Sequence, residues 1–130
     1  MATSTSRLRV ELPLPALKGA NSRGHWVVRH RAANADRMTA FIAAQAVPRG
    51  EPLDAVRLVI RWHCPTRRLL DCDNALSRCK SYIDGLTDAG WWRDDSVVRC
   101  VEISVLPPGE KRGLLEIEAS TMPAEPRHGD

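Results

Sequence analysis

Nowhere does this 130-residue chain run apolar for long enough to cross a bilayer. Its first residues, Met1 to Ser6, are small and polar and lack the hydrophobic stretch of a secretory signal. A soluble, cytoplasmic protein with no membrane partner is therefore expected. The four cysteines, Cys64, Cys72, Cys79 and Cys100, form no CxxC pair. That weighs against structural zinc, leaving a site from His63, Cys64 and Cys72 as a weak candidate, and reads as free thiols in a reducing compartment. A strong excess of one charge is also missing, the formal net charge being +3. So mild a balance admits a polyanionic partner without requiring one, and the placement of the charges matters more than their sum. No internal repeat is visible. With 43% hydrophobic and 27% charged residues, the composition is that of one ordinary globular domain. It is expected over residues 1–120, with a flexible, proline-containing tail over 121–130.

Periodicity predicts the elements. Leu8 to Leu12 alternates apolar and polar residues and meets Pro13 and Pro15, a short strand. Lys18 to Trp26 reads as a loop from its Gly, Asn and Ser. From Trp26 to about Ala46, Val28, Ala32, Ala35, Met38, Phe41, Ile42 and Ala46 recur near helical period and predict an apolar face. Leu53 to Cys64 contains the alternating run Val56, Leu58, Ile60, Trp62, a half-buried strand. Asp73 or Asn74 caps a predicted helix running to about Asp88 and ending at Gly90. Val97 to Leu106 and Leu114 to Ala119 are strands, joined by a Pro107–Lys111 turn as a hairpin. The order β-α-β-α-β-β predicts an α/β (α+β) fold, a single mixed sheet of about four strands with two helices.

What the chain does have is a concentration of acids around its second predicted helix: Asp71-Cys72-Asp73-Asn74, then Asp84, then Asp94-Asp95. Residues two apart in an extended segment point to one side, so Asp71 and Asp73 can reach one ion. The following helix N-terminus helps to keep them ionised. Asp95, on the loop after that helix, is the natural third ligand if the sheet brings the two loops together. Such carboxylates suit Mg²⁺, which can activate water and stabilise charge on a scissile phosphate. Lys80 and Asp84 lie seven and eleven positions beyond Asp73, along one face of a continuous helix. The bland alternative is a cap, a turn and a surface ion pair worth a few tenths of a kcal/mol. Spacing alone does not choose between them.

Taken in order, these features resemble the RusA family of Holliday-junction resolvases, found in bacteria and prophages. The resemblance spans roughly Leu12 to Leu106. It rests on Leu12-Pro13-Leu14-Pro15, the loop Asn21-Ser22-Arg23-Gly24-His25-Trp26, the box Asp71-Cys72-Asp73-Asn74, the element Lys80 to Asp84 and Leu86, and the segment Asp88 to Val97 with its aromatic-then-Asp-Asp pattern. It implies a homodimeric endodeoxyribonuclease, dependent on Mg²⁺ with Mn²⁺ as a substitute, that nicks four-way junction DNA in symmetric pairs. Asp71, Asp73 and Asp95 then match the catalytic, metal-binding aspartates, and Lys80 the essential lysine. One departure is that Lys80 follows Asp73 by seven residues, whereas in the family member most readily compared the lysine follows by four. On a continuous helix that is a shift of about 4.5 Å along the same face. Arg78 could replace it only if the helix rotated.

Candidate DNA contacts are Asn21, Arg23 and His25 in the first loop, Arg67 and Arg68 beside the aspartates, and Trp92. Arg29, Arg31 and Arg37 read equally as the solvated face of a helix, His25 as a packing residue, and Trp91 or Trp92 as core. Two other functions compete. One is a junction-binding protein without catalysis. The other is a Ca²⁺ protein, against which stands the absence of an EF-hand ligand pattern.

Overall fold

The computed structural model describes residues 7–17 and 26–122. The elements are β1 (Arg7–Pro13), α1 (Trp26–Gln45), β2 (Val56–His63), α2 (Cys72–Arg78), α3 (Lys80–Asp88), a 3₁₀ turn (Asp95–Val97), β3 (Val98–Leu106) and β4 (Leu114–Thr121). The strands form one mixed sheet in the order β1-β4-β2-β3. β4 runs antiparallel to both β1 and β2, while β2 and β3 are parallel. This is the mixed four-stranded α+β architecture that the periodicity predicts. The proposed tail over 121–130 lies outside the described residues beyond Met122.

The expected hairpin of the last two strands does not form, because β2 lies between β3 and β4. Val56, Leu58, Ile60 and Trp62 of β2 are all buried. So apolar a strand is best satisfied by a neighbour on each side. The α2–α3 crossover supplies the parallel neighbour, since parallel strands need such a connection. The turn after Leu106 then carries the chain past the end of β2, where Gly113 donates its N–H to the His63 carbonyl at 2.8 Å.

Helix α1 corrects a second expectation. Val28, Met38 and Ile42 are 62%, 55% and 61% exposed, and the buried residues are Asp36, Ala40 and Ala44. They recur at every fourth position, but they are small or charged and so escape an apolar count. Their partner is α3. A Cβ at Gly85 would land on the carbonyl oxygen of Arg37 and 2.8 Å from the Cβ of Ala40, so the two helices touch backbone to backbone there. Asp36, only 3% exposed, accepts the N–H groups of Ala16 (2.8 Å) and Leu17 (2.9 Å). Hydrogen bonds to a charged group contribute about 1.5–3 kcal/mol each. The buried aspartate thus clamps the segment that follows β1 against α1.

The predicted second helix is divided. α2 begins at Cys72 with Asp71 in the N-cap position, and a tight bond from Cys79 N–H to the Leu76 carbonyl (3.0 Å) closes it. Arg78 is drawn inward at this break. Its Nε donates to the Leu17 carbonyl (2.9 Å), its Nη2 to that of Pro15 (3.3 Å), and its guanidinium lies 4.9 Å from the Trp62 ring centroid. That geometry removes Arg78 as a stand-in for the lysine.

Candidate functional site

α3 and the turn before β3 bring together one cavity of about 310 Å³ lined by Arg37, Lys80, Asp84, Thr87, Asp94 and Asp95. Lys80 Nζ donates to Asp84 Oδ1 at 2.8 Å and stands 3.8 Å from Asp95 Oδ2. The hydrogen bond to Asp84, with added attraction to Asp84 and Asp95, raises the Lys80 pKa above that of a free lysine. The ammonium therefore stays charged across the neutral range. Asp84 follows Lys80 by one helical turn, as the spacing predicts, and holds it.

Asp94 and Asp95 have different tasks. Asp94 caps the 3₁₀ turn, accepting the Ser96 N–H at 2.8 Å and the Ser96 hydroxyl. Those bonds lower its pKa below the usual carboxylate value and commit it to the backbone. Asp95 remains turned to the cavity, where Thr87 Oγ1 lies 3.1 Å from its Oδ1. The Thr87 hydroxyl accepts from the Trp92 indole N–H (2.7 Å) and has one proton to share between Asp95 and the Ile83 carbonyl.

Trp92 thus holds the Thr87 hydroxyl. It and Trp91 are fully buried, which is the core placement that the sequence also allows for both. The Trp91 indole N–H donates to the Ala44 carbonyl (3.2 Å), and the two rings meet edge to face.

Arg37 enters from α1. Its Nε and Nη2 fork onto Asp88 Oδ2 (2.5 Å) and Oδ1 (2.8 Å). Through this bond the Arg37 pKa is raised and the Asp88 pKa lowered. Thr87 is the cavity residue that sequence reasoning misses, while Arg37, read there only as one of several basic residues on α1, proves to line the cavity. Thr87 carries a signal, lying seven residues after Lys80 on one helical face; the basic segment that contains Arg37 is legible, but its arrival beside Lys80 from another helix is not.

Asp71 and Asp73 are exposed, and Asp71 makes no side-chain cap bond. Among the described residues no group of three or more His, Cys, Asp and Glu stands in a metal-holding arrangement. Asp71 and Asp73 stand at the start of α2, and Asp95 stands beside Lys80. The donor chemistry still fits a hard divalent ion. All of these side chains offer oxygen, and Asn74 Oδ1 is a buried acceptor with no hydrogen-bond partner. The expectation that Asp73 and Lys80 share one continuous helix fails at the Cys79 break.

Arg67 and Arg68 are exposed on the loop leading to Asp71. Asn21, Arg23 and His25 lie outside the described residues. The weak zinc reading of His63, Cys64 and Cys72 finds no support: His63 Nε2 is 2.7 Å from Glu116 Oε1, and Cys64 is buried. Burial, and secondarily nearby Lys111, lowers the His63 pKa. All four cysteines are free. Burial pushes the Cys79 thiol up to about 12, whereas Cys72 is exposed between the two aspartates. Thiolate is the reactive form. At pH 8 a maleimide should label Cys72 rapidly in the native protein, and Cys64 and Cys79 only after denaturation, as peptide mass spectrometry would read. Rapid labelling of Cys79 would mean that the α2–α3 junction opens.

A protein-family model described as endodeoxyribonuclease RusA matches residues 13–118 of this chain. No curated protein matches it.

Proposed function

The chain belongs to the RusA family of endodeoxyribonucleases, and from that premise we propose that it resolves four-way DNA junctions by paired, metal-dependent nicks. The observation that carries the reading is Lys80, held 2.8 Å from Asp84 and 3.8 Å from Asp95 in a cavity that Arg37 also enters. A fixed cation among carboxylates is what phosphodiester hydrolysis asks of a site.

Asp71, Asp73 and Asp95 would hold Mg²⁺, with Mn²⁺ as a substitute, and the side-chain oxygen Asn74 Oδ1 is a further ligand atom at hand. When bound, the ion lowers the pKa of a water and neutralises charge on the phosphate. The water oxygen would form a bond to phosphorus and give up a proton to solvent, one bridging P–O bond would break, and the leaving oxygen would take up a proton from solvent. Lys80 faces the developing negative charge. With its pKa raised it remains an ammonium, so its contribution is electrostatic rather than proton donation. Asp84 holds that ammonium, while Thr87, anchored by Trp92, orients Asp95.

Arg67 and Arg68, with Asn21, Arg23 and His25, would contact the backbone of the arms. Paired nicks in a two-fold substrate call for two sites, hence a homodimer. No helix among the described residues is long and apolar enough to cross a membrane. A cytoplasmic, DNA-associated enzyme of a bacterium or prophage fits this reading.

A junction-binding protein without catalysis is the second reading, favoured by the break at Cys79 that takes Lys80 off the helix of Asp73. One experiment separates them: an end-labelled mobile junction and a matched linear duplex, each with Mg²⁺ or EDTA. Paired nicks in the junction alone, and only with Mg²⁺, are expected. Tight junction binding without nicks would favour the second reading, and equal cutting of the duplex would overturn junction specificity.

A further inference from the structure

Beside the Lys80 cavity lies a second one, of about 330 Å³, lined by Asn34, Arg37, Met38, Phe41 and Asp88. The two share Arg37. The second is walled by Met38, which is 55% exposed, and by the half-buried Phe41. Single exposed apolar side chains on a helix need no explanation. This one differs because it forms one wall of a concavity at the edge of the candidate active site.

The guanidinium between the two cavities is held in place before any ligand arrives. Arg37 Nε and Nη2 are spent on Asp88, while Nη1 makes no hydrogen bond among the described residues. Its backbone is fixed by the close approach at Gly85. A planar fork held in this way loses little freedom on meeting a phosphate. The cavity sits at the lower end of the size range for small-ligand sites, roughly 300–1,000 Å³. That suits one aromatic ring system and is too small for a helix.

We propose that this cleft between α1 and α3 is a nucleotide subsite of the junction: Met38 and Phe41 take an unstacked base, and Arg37 Nη1 contacts its phosphate. The proposal rests on the DNA-junction reading above and deepens it. Nucleotide is the occupant favoured by position and charge, since the apolar wall ends at a fixed cation that continues into the Lys80 cavity. A base stacked in a duplex is not free to enter. At a branch point the loss of stacking makes that exchange cheaper, which would give the enzyme a means of choosing junctions.

The test measures junction affinity by fluorescence anisotropy in Ca²⁺, so it does not depend on nicking. Each base at the branch is replaced in turn by an abasic residue. One abasic position should weaken binding by the wild-type protein about tenfold, in keeping with the value of stacking on protein side chains. Met38→Glu should bind the intact junction about tenfold less tightly and show no further loss at that position, whereas Met38→Phe should keep the full abasic penalty. Arg37→Gln should reduce the slope of log affinity against log salt by about one phosphate, with Arg37→Lys restoring it. Met38 is on the surface, so Met38→Glu should keep the wild-type melting temperature, and Met38→Phe covers the case in which it does not. An abasic penalty that persists in Met38→Glu, or that is absent from wild type at every position, overturns the subsite. Failure of wild type to nick in Mg²⁺, with these binding results intact, counts against the endonuclease reading alone.

Discussion

Asp73→Asn should nick a four-way junction on the order of a thousandfold more slowly than wild type while binding it as tightly or more tightly. Asp73 is exposed in the first turn of α2. Replacing it with a near-isosteric amide should change stability by less than about 0.5 kcal/mol, as for most surface positions. The amide keeps an oxygen but loses the charge that would hold a divalent ion. Metal-derived stabilisation of a phosphoryl transition state is worth several kcal/mol, and each 1.36 kcal/mol is tenfold in rate. Removal of a negative charge near a phosphate also reduces repulsion, hence the retained or improved affinity. Single-turnover nicking in Mg²⁺ and anisotropy in EDTA read the two quantities separately. Matched loss of binding and cleavage would indicate misfolding and remove Asp73 from the assigned role.

A loss of stability of about 3 kcal/mol is expected from Gly85→Ala, the smallest substitution available at that position. The new methyl would meet the Arg37 carbonyl oxygen and the Ala40 Cβ. Backbone cannot swing aside as a flexible side chain can, so the cost belongs at the upper end of overpacking penalties. It outweighs the roughly 1 kcal/mol by which alanine is the better helix former. Against a total stability of about 5–15 kcal/mol, this should lower the melting temperature by roughly 12 °C or more. Gly50→Ala, with nothing within 4 Å of the added methyl, serves as the control and should melt near wild type. Separation of α1 from α3 would also carry Arg37 away from the Lys80 cavity, so weaker junction binding should accompany the lower melting point. An unchanged melting temperature in Gly85→Ala would show that the helices do not cross as closely as described.

The strand of Val56, Leu58, Ile60 and Trp62 was legible because alternation reports directly on a two-sided element, and all four are buried. The Lys80–Asp84 pair was legible because helical spacing is local. The first helix is legible but its facing is not, since the inward residues Asp36, Ala40 and Ala44 carry almost no hydrophobic signal. Apolar content marks a buried face only when burial is what drives the packing. Here a close backbone crossing and a clamped carboxylate drive it instead.

What the sequence determines by itself is therefore what depends on near neighbours: the strands and helices, the Asp71-Cys72-Asp73-Asn74 box, the Asp94-Asp95 pair and the family to which they belong. Tertiary structure alone decides the placement of β2 between β3 and β4, the inward turn of Arg78 at the Cys79 break, the burial of Trp91 and Trp92, and the arrival of Arg37 beside Lys80. Each of these joins groups far apart in the chain. The free energy that selects them comes from shape, backbone polarity and shared charge at the meeting point, and no short window of residues contains both sides of that contact.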